Sequence, residues 1–162
     1  MAALEIPNFP EILMETLVSV PEASRVGFLA RLERSAAGRY RGWATESDDL
    51  APWLLECAAR EDEIADRAEE MFPVLPEHEE IVEEALAVAR RLYLGAFEGH
   101  PLEDQIFIQA HAERQGSLAW LGYASQHADE STRKQFLELA DLEVASALRI
   151  DAELGRSSSG EA

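Results

Sequence analysis

Two short segments of this chain repeat one pattern of residue types. "LERSAAGRY", Leu32–Tyr40, and "AERQGSLAW", Ala112–Trp120, each contain a Glu-Arg pair and an aromatic residue seven positions after the Glu. Seven residues make about two helical turns, so acid and ring share one helix face. Carboxylate oxygens are the ligands that hard divalent cations prefer. Glu33 and Glu113 are therefore candidate metal ligands on two separate helices.

The segments that follow the two copies match as well. After a two-residue adjustment of the loop, "LLECAAREDEIA" aligns with "FLELADLEVASA", and Glu61 pairs with Glu143. An alignment without this gap pairs Glu63 with Glu143 instead and offers Glu63-x-x-Asp66, but it matches the apolar residues less well. Each half is therefore a pair of helices with one marked glutamate per helix, Glu33 and Glu61 in the first half and Glu113 and Glu143 in the second, with Glu63 as the alternative to Glu61.

Helices must position these acids, because the apolar residues recur with helical period and no stretch alternates with period two. Prolines mark several helix starts, where their missing N–H does no harm. The sequence predicts an all-α protein with helices over Pro10–Ser19, Pro21 to about Thr45, about Leu50 to Phe72, Pro76 to about Phe97, Pro101 to about His127, and about Glu130 to Leu154. Asp129 or Ser131 is available to cap the last helix.

The predicted helices group into two long hairpins. The hairpins, 22–72 and 102–154, are joined by a connection that contains its own helix, 76–97, and this layout predicts a four-helix bundle with one long crossover. The predicted domain organisation is an N-terminal segment with a short helix, a helical bundle and a disordered Gly/Ser-rich tail, over residues 1–21, 22–154 and 155–162.

This pattern resembles the ferritin-like superfamily, and most closely the rubrerythrin-type di-iron domain. In that family two bundle helices each carry a ligand Glu, with an aromatic residue seven positions on, and the other two each carry Glu-x-x-His. The resemblance covers residues 22–154. It implies a carboxylate-rich centre for two divalent ions, iron or manganese, with Glu33, Glu61, Glu113 and Glu143 as the metal ligands, and a function in metal binding or in peroxide and iron handling. Whether the protein is an enzyme stays open.

The chain departs from the family pattern at both histidine positions, which hold Ile64 and Ser146. Imidazole ligands help to hold iron through a redox cycle, so their replacement argues against redox chemistry. The alternative function is a degenerate ferritin-like domain that acts as a structural or protein-interaction module. In a third interpretation an organic ligand occupies a cavity beside Ala36, Ala37, Gly116 and Ser117, although these small residues also permit close helix packing.

Four glutamates that face one another inside a bundle require compensation, since an unpaired buried ion costs several kcal/mol. Divalent metal ions, bound protons with raised carboxyl pKa values, arginine partners or local water each meet this need. Tyr40 and Trp120 are expected to pack in the core. The sharper alternative for Tyr40 is a hydrogen bond from its hydroxyl to a carboxylate.

Other chemistry finds little support in the sequence. His78, His100 and His127 fall at predicted helix ends or loops, and His111 points about 200° around the helix from Glu113. No histidine is therefore a predicted ligand. Cys57 is expected to pack in the core, and no Gly-rich phosphate loop is present.

The net charge of −18 argues against nucleic acid and anionic membranes as partners. A single cysteine excludes an internal disulfide and fits a reducing cytoplasm. The N-terminus lacks a basic region and does not resemble a signal peptide, and no apolar run is long enough for a membrane span. A homodimer is expected because bundles of this type often pair, and the third long helix and the N-terminal segment are candidate surfaces for a protein partner.

Overall fold

The computed structural model describes residues 4–159, and this part of the chain contains six α-helices and no strand. The helices are α1 Phe9–Ser19, α2 Arg25–Ala44, α3 Ala51–Met71, α4 Glu79–Phe97, α5 Leu102–Gln126 and α6 Glu130–Leu154. Short 3₁₀ helices, Glu22–Ser24 and Pro76–His78, precede α2 and α4. The all-α prediction is confirmed. Residues 1–3 and 160–162 of the predicted N-terminal segment and tail lie outside the described residues.

The helix ends follow from local chemistry. Pro52 lies in the first turn of α3, and Pro101 precedes α5. Of the two cap candidates for α6, Asp129 takes the role, because its Oδ2 accepts a hydrogen bond from the Thr132 N–H at 2.7 Å. Gly155 ends the same helix with φ 61°, a left-handed conformation that glycine adopts without strain.

The chain divides into two compact units: Glu11–Ala96 form one, and the residues up to Pro10 together with those from Phe97 onward form the other. This division does not test the predicted boundaries at residues 21 and 154, which stay predictions.

In the unit Glu11–Ala96, α2 and α3 form an antiparallel hairpin. Arg34 near the middle of α2 binds Asp66, whereas Arg41 near its end binds Asp62. The arginine that comes later in α2 binds the acid that comes earlier in α3, so the two helices run antiparallel. Cys57 is buried, as the sequence predicts. The buried apolar residues of α3 are Trp53, Leu54, Cys57, Ala58, Ile64, Ala65 and Ala68.

Helix α4 packs against α1 and α2 through a face other than the one that carries Ile81, Val88 and Leu92. The buried cluster joins α4 to α1, α2 and the residue after α1, and it contains Leu13, Val20, Phe28, Leu32, Val82, Ala85, Leu86 and Ala89. Ile81, Ala85, Val88 and Leu92 recur at helical spacing along α4, but of these four only Ala85 is buried, whereas the other three are 38–39% exposed. Ala85 and Ala89 are small, so they let the α4 backbone approach its neighbours closely.

Polar contacts also join α4 to α2. The Arg31 guanidinium donates to Glu79 at 2.7 Å and to Glu83 at 2.5 Å. The hydrogen bond from Arg31 lowers the pKa of the Glu79 carboxyl. These contacts keep the acidic start of α4 on the α2 side of the unit.

In the other unit, α5 and α6 form a second antiparallel hairpin. Arg114 binds Asp151 at 3.0 Å, whereas the His127 ring, just past the end of α5, stacks on Phe136 near the start of α6. The N-terminal residues of this unit are tied to α5 by Gln115, which accepts a hydrogen bond from the Phe9 N–H at 2.8 Å and donates one to the Pro7 carbonyl at 3.1 Å.

Part of the segment predicted to be a disordered tail also packs against this hairpin. Ser158 is buried, its N–H donates to Asp151 at 2.9 Å, and its hydroxyl accepts a hydrogen bond from Arg114 at 2.7 Å. The Arg156 guanidinium lies 3.8 Å from the centre of the Phe107 ring. The residues just after α6 are therefore in contact with α5 and α6, and the disorder of the tail stays a prediction.

Gly27 should tolerate no side chain, since a Cβ there would lie 2.6 Å from the Val74 backbone nitrogen. We expect Gly27→Ala to lower the free energy of unfolding by about 1–3 kcal/mol, measured by urea denaturation. Gly38→Ala is the matched control on α2. Its Cβ would meet nothing within 4 Å, so helix propensity should leave stability unchanged or raise it by up to about 1 kcal/mol. Equal effects at the two sites would contradict the packing argument.

Asp129 should make the stability of α6 depend on pH. The side-chain and backbone hydrogen bonds from Thr132 lower the pKa of its carboxyl. A lowered folded-state pKa means that the cap's contribution is complete above the unfolded pKa of about 4 and is lost as the pH falls through the folded value. We expect Asp129→Ala to lower the melting temperature at pH 7, and we expect its difference from the wild type to shrink as the pH falls below about 4. Asp129→Asn, a cap that does not titrate, should keep its advantage over Ala across the same pH range.

Candidate metal centre

The α2–α3 hairpin brings Glu33 and Glu61 together. Glu61 is fully buried and Glu33 is partly buried, and a carboxylate oxygen of each lies within 4.8 Å of the other. The alternative acid Glu63 has a side chain that is 53% exposed and is ion-paired with Arg67 at 3.6 Å. Glu61 is therefore the acid of α3 that faces inward, as the gapped alignment of the repeats predicts.

The α5–α6 hairpin holds the other two glutamates. Glu113 and Glu143 are each only 2% exposed. Gln109, one turn earlier on α5, donates from Nε2 to Glu113 Oε1 at 2.7 Å. The indole N–H of Trp120 donates to Glu143 Oε1 at 2.9 Å. An amide and an indole are neutral donors, so these hydrogen bonds orient the carboxyl groups without bringing a positive charge to them.

Gly116 lies directly against the Glu143 carboxylate. A Cβ at Gly116 would lie 2.8 Å from Oε1 and 3.2 Å from the carboxyl carbon of Glu143. The sequence left two roles open for this small residue, a cavity or close helix packing. In the structure the carboxylate of the neighbouring helix takes the place that a side chain at Gly116 would fill.

Neither position of the missing histidines supplies a nitrogen ligand, and both are fully buried. Ile64 places an apolar side chain one turn after Glu61. Ser146 lies one turn after Glu143, and within residues 4–159 its hydroxyl has no hydrogen-bond partner. An orphaned buried hydroxyl is uncommon in folded proteins and often marks the place of a water molecule or an ion.

Three histidines make other contacts within their own units. His78 Nδ1 lies 2.8 Å from the Ser24 hydroxyl, which also accepts a hydrogen bond from the Leu75 N–H at 3.0 Å. His111 packs edge-on against Phe107, and burial lowers the pKa of its imidazole. His127 stacks on Phe136. That the histidines are not ligands stays a prediction.

The structure also explains why an arginine follows Glu33 and Glu113 in both repeats. Arg34 donates to Glu69 at 2.7 Å, and Arg114 donates to Asp151 at 3.0 Å. Glu69 lies eight residues after Glu61, and Asp151 lies eight residues after Glu143, so the two ion pairs occupy equivalent places in the repeat. In each hairpin, then, the Glu of the pair faces inward and the Arg binds an acid on the second helix of the same hairpin.

Sequence reasoning missed the donors to Glu113 and Glu143. Gln109 could have been found, because a residue four positions before an acid shares its helix face. Gly116, one of two glycines inside α5, was a visible signal too, since glycine is unfavourable in a helix interior. Trp120 was assigned to core packing alone, and nothing in its spacing shows that the indole reaches a carboxylate on α6.

The residues present fit a divalent cation better than a redox iron pair. The candidate ligands are carboxylate oxygens, which suit hard ions such as Mn²⁺, Mg²⁺, Ca²⁺ or Fe²⁺. The orphaned Ser146 hydroxyl adds one more oxygen on the face of Glu143. With Ile64 and Ser146 in the histidine positions, the nitrogen ligands that stabilise iron through a redox cycle are missing.

Comparisons with protein-family models, with curated proteins and with solved structures find no match to this chain. Within residues 4–159, no helix is both long and apolar enough to span a lipid bilayer. The geometry of the two glutamate pairs is therefore the basis for the proposed function.

The two equivalent ion pairs should differ in strength. The Arg114–Asp151 side chains are 25% and 13% exposed, whereas those of Arg34 and Glu69 are 40% and 32% exposed. Double-mutant cycles to alanine, read by urea denaturation, should give a coupling energy of about 1–2 kcal/mol for Arg114–Asp151 and below about 1 kcal/mol for Arg34–Glu69. A coupling near zero for Arg114–Asp151 would contradict its role in joining α5 to α6.

Proposed function

We propose that this protein is a ferritin-like helical protein that binds divalent cations through Glu33, Glu61, Glu113 and Glu143. The observation that carries the proposal is the burial of three of these acids, Glu61, Glu113 and Glu143, at 0–2% exposure. The pairing of the α2–α3 and α5–α6 hairpins into one bundle, with α4 in the crossover, is part of the proposal. It is supported by the repeat of the Glu-Arg pattern in both hairpins.

Buried carboxylates favour a cation because their charges are costly to remove from water. The arginines adjacent in sequence to three of the acids contact other groups: Arg34 binds Asp66 and Glu69, Arg60 donates to Cys57 Sγ at 3.7 Å, and Arg114 binds Asp151. The hydrogen bonds to Glu113 and Glu143 come from neutral groups. A divalent ion would offset these charges and would also take up the carboxylate oxygens as ligands.

The proposal concerns binding rather than turnover. An all-oxygen site binds Mn²⁺, Fe²⁺, Mg²⁺ and Ca²⁺ with modest selectivity. A role in peroxide or oxygen chemistry would need the nitrogen ligands that Ile64 and Ser146 replace. The homodimer and the cytoplasmic location stay predictions.

A second candidate function is a ferritin-like domain that acts through protein contact and has lost its metal. The apolar stripe of Ile81, Val88 and Leu92 on α4 favours it, because each of these side chains is more than a third exposed. Three such residues at helical spacing form a surface that a partner helix or a second copy can cover.

Titration of the metal-free protein with Mn²⁺, followed by calorimetry and electron paramagnetic resonance, tests the first candidate. We expect Mn²⁺ to bind the wild type, and Glu61→Gln and Glu143→Gln each to weaken binding by about 100-fold or more, since each removes a charged ligand. Glu63→Gln is the matched control on α3 and should bind as the wild type does.

The metal-free variants supply a second readout. Glu61→Gln changes the shape of the side chain little, so the melting temperatures of the metal-free wild type and the metal-free variant measure what the substitution does to stability without a cation. Saturating Mn²⁺ should raise the melting temperatures of the wild type and of Glu63→Gln, and should raise those of Glu61→Gln and Glu143→Gln by less, because they bind the ion more weakly. A wild type that takes up neither Mn²⁺ nor Fe²⁺ would sink the metal proposal and leave the interaction module.

A further inference from the structure

The carboxylate of Glu143 is constrained by two residues of the neighbouring helix α5. Trp120 donates its indole N–H to Oε1 at 2.9 Å, and the backbone of Gly116 leaves the space in which the carboxylate lies. We propose that Gly116 and Trp120 are positioning residues that hold Glu143 in the orientation in which it binds a divalent cation. This inference rests on the proposed function and deepens it.

Gly116 sets where the carboxylate lies. All three atoms of the Glu143 carboxyl group fall within 3.4 Å of the place that a Cβ at Gly116 would occupy, and the nearest is Oε1 at 2.8 Å. Such an approach is too close for any side chain larger than hydrogen. The carboxylate of α6 therefore packs on the α5 backbone, and a methyl group at position 116 would displace it.

Trp120 sets how the carboxylate is turned. Its ring is 1% exposed and stacks on Phe136 at a centroid distance of 6.0 Å, so the indole itself is fixed by packing. A fixed N–H that donates to Oε1 selects one rotation of the carboxyl group. The indole neither titrates nor carries charge, so it orients Glu143 without competing with a cation for the negative charge.

A ligand that is held in advance binds more tightly, because less side-chain freedom is lost when the ion arrives. The two repeats differ here: the positions equivalent to Gly116 and Trp120 are Ala36 and Tyr40. The glycine and tryptophan that contact the carboxylate are therefore specific to the α5–α6 hairpin and are not part of the repeated pattern.

A purely structural role is the competing explanation, since a buried carboxylate needs a donor in any case. The two roles predict different readouts. Loss of a structural hydrogen bond lowers stability with or without metal, whereas loss of positioning lowers Mn²⁺ affinity by more than the change in stability accounts for.

Mn²⁺ titrations of the full chain with Gly116→Ala and Gly122→Ala test the position of the carboxylate. Both changes replace a glycine within α5, but a Cβ at Gly122 meets nothing within 4 Å. We expect Gly116→Ala to weaken Mn²⁺ binding by about 10- to 100-fold and Gly122→Ala to leave it unchanged. Adding Glu143→Asp to Gly116→Ala shortens the acid and should restore part of the affinity.

Trp120→Phe tests the orientation of the carboxylate, because it keeps a ring against Phe136 and removes the N–H. We expect Mn²⁺ affinity to fall about 10-fold, with an altered Mn²⁺ paramagnetic resonance spectrum. Tryptophan fluorescence should change on Mn²⁺ addition in the wild type and in the control Trp43→Phe, and should not change in Trp120→Phe. If Gly116→Ala does not fold, Trp120→Phe decides the matter.

The outcomes separate the two proposals. A wild type that binds no Mn²⁺ overturns the metal-binding function and this inference with it. A wild type that binds Mn²⁺, with both Gly116→Ala and Trp120→Phe binding equally well, overturns the inference alone. A third outcome is that Gly116→Ala loses Mn²⁺ affinity, the added Glu143→Asp does not restore it, and Trp120→Phe keeps the affinity of the wild type. This outcome would mean that Gly116 acts in helix packing and that Trp120 does not position Glu143.

Discussion

Carboxylates that are out of contact with water constrain this protein more than any other feature. Glu61, Glu113 and Glu143 lie inside helical hairpins whose other buried side chains are mostly alanine, larger aliphatic and aromatic residues. A buried charge of this kind survives in a folded protein only where hydrogen bonds or an opposite charge compensate it. Gln109 and Trp120 supply hydrogen bonds to two of the three acids. Neither donor brings a positive charge to these acids, and this is the physical reason for placing a cation in the proposal.

The outer faces of the hairpins use acids in a different way. Arg34 and Arg114 each reach from the first helix of a hairpin to an acid on the second, and these pairs are partly exposed. The same dipeptide thus serves two purposes, with the acid turned inward and the base joining the helices at the surface. In this chain of net charge −18, the arginines bind acids at the surface, whereas the buried acids of α5 and α6 accept hydrogen bonds from neutral donors.

Helix positions could be predicted closely, because caps, prolines and helical periodicity act within a few residues of one another. The start and end of α6 at Glu130 and Leu154 agree with the sequence prediction, and Asp129 caps it. The buried face of α4 could not be predicted in the same way. Apolar residues lie on more than one of its faces, and the face that packs on Phe28 and Leu32 contains the small residues Ala85 and Ala89.

By itself the sequence determined the all-helical class, the two matching hairpins and the four candidate acids, since each follows from spacing along one helix. It favoured Glu61 over Glu63 through the alignment of the repeats, and burial in the structure agrees. Only the tertiary structure decided which groups meet the acids. The approach of Glu143 to Gly116 and its hydrogen bond from Trp120 join residues of two helices. Such contacts depend on the distance and rotation between packed helices, which no local pattern of residues encodes.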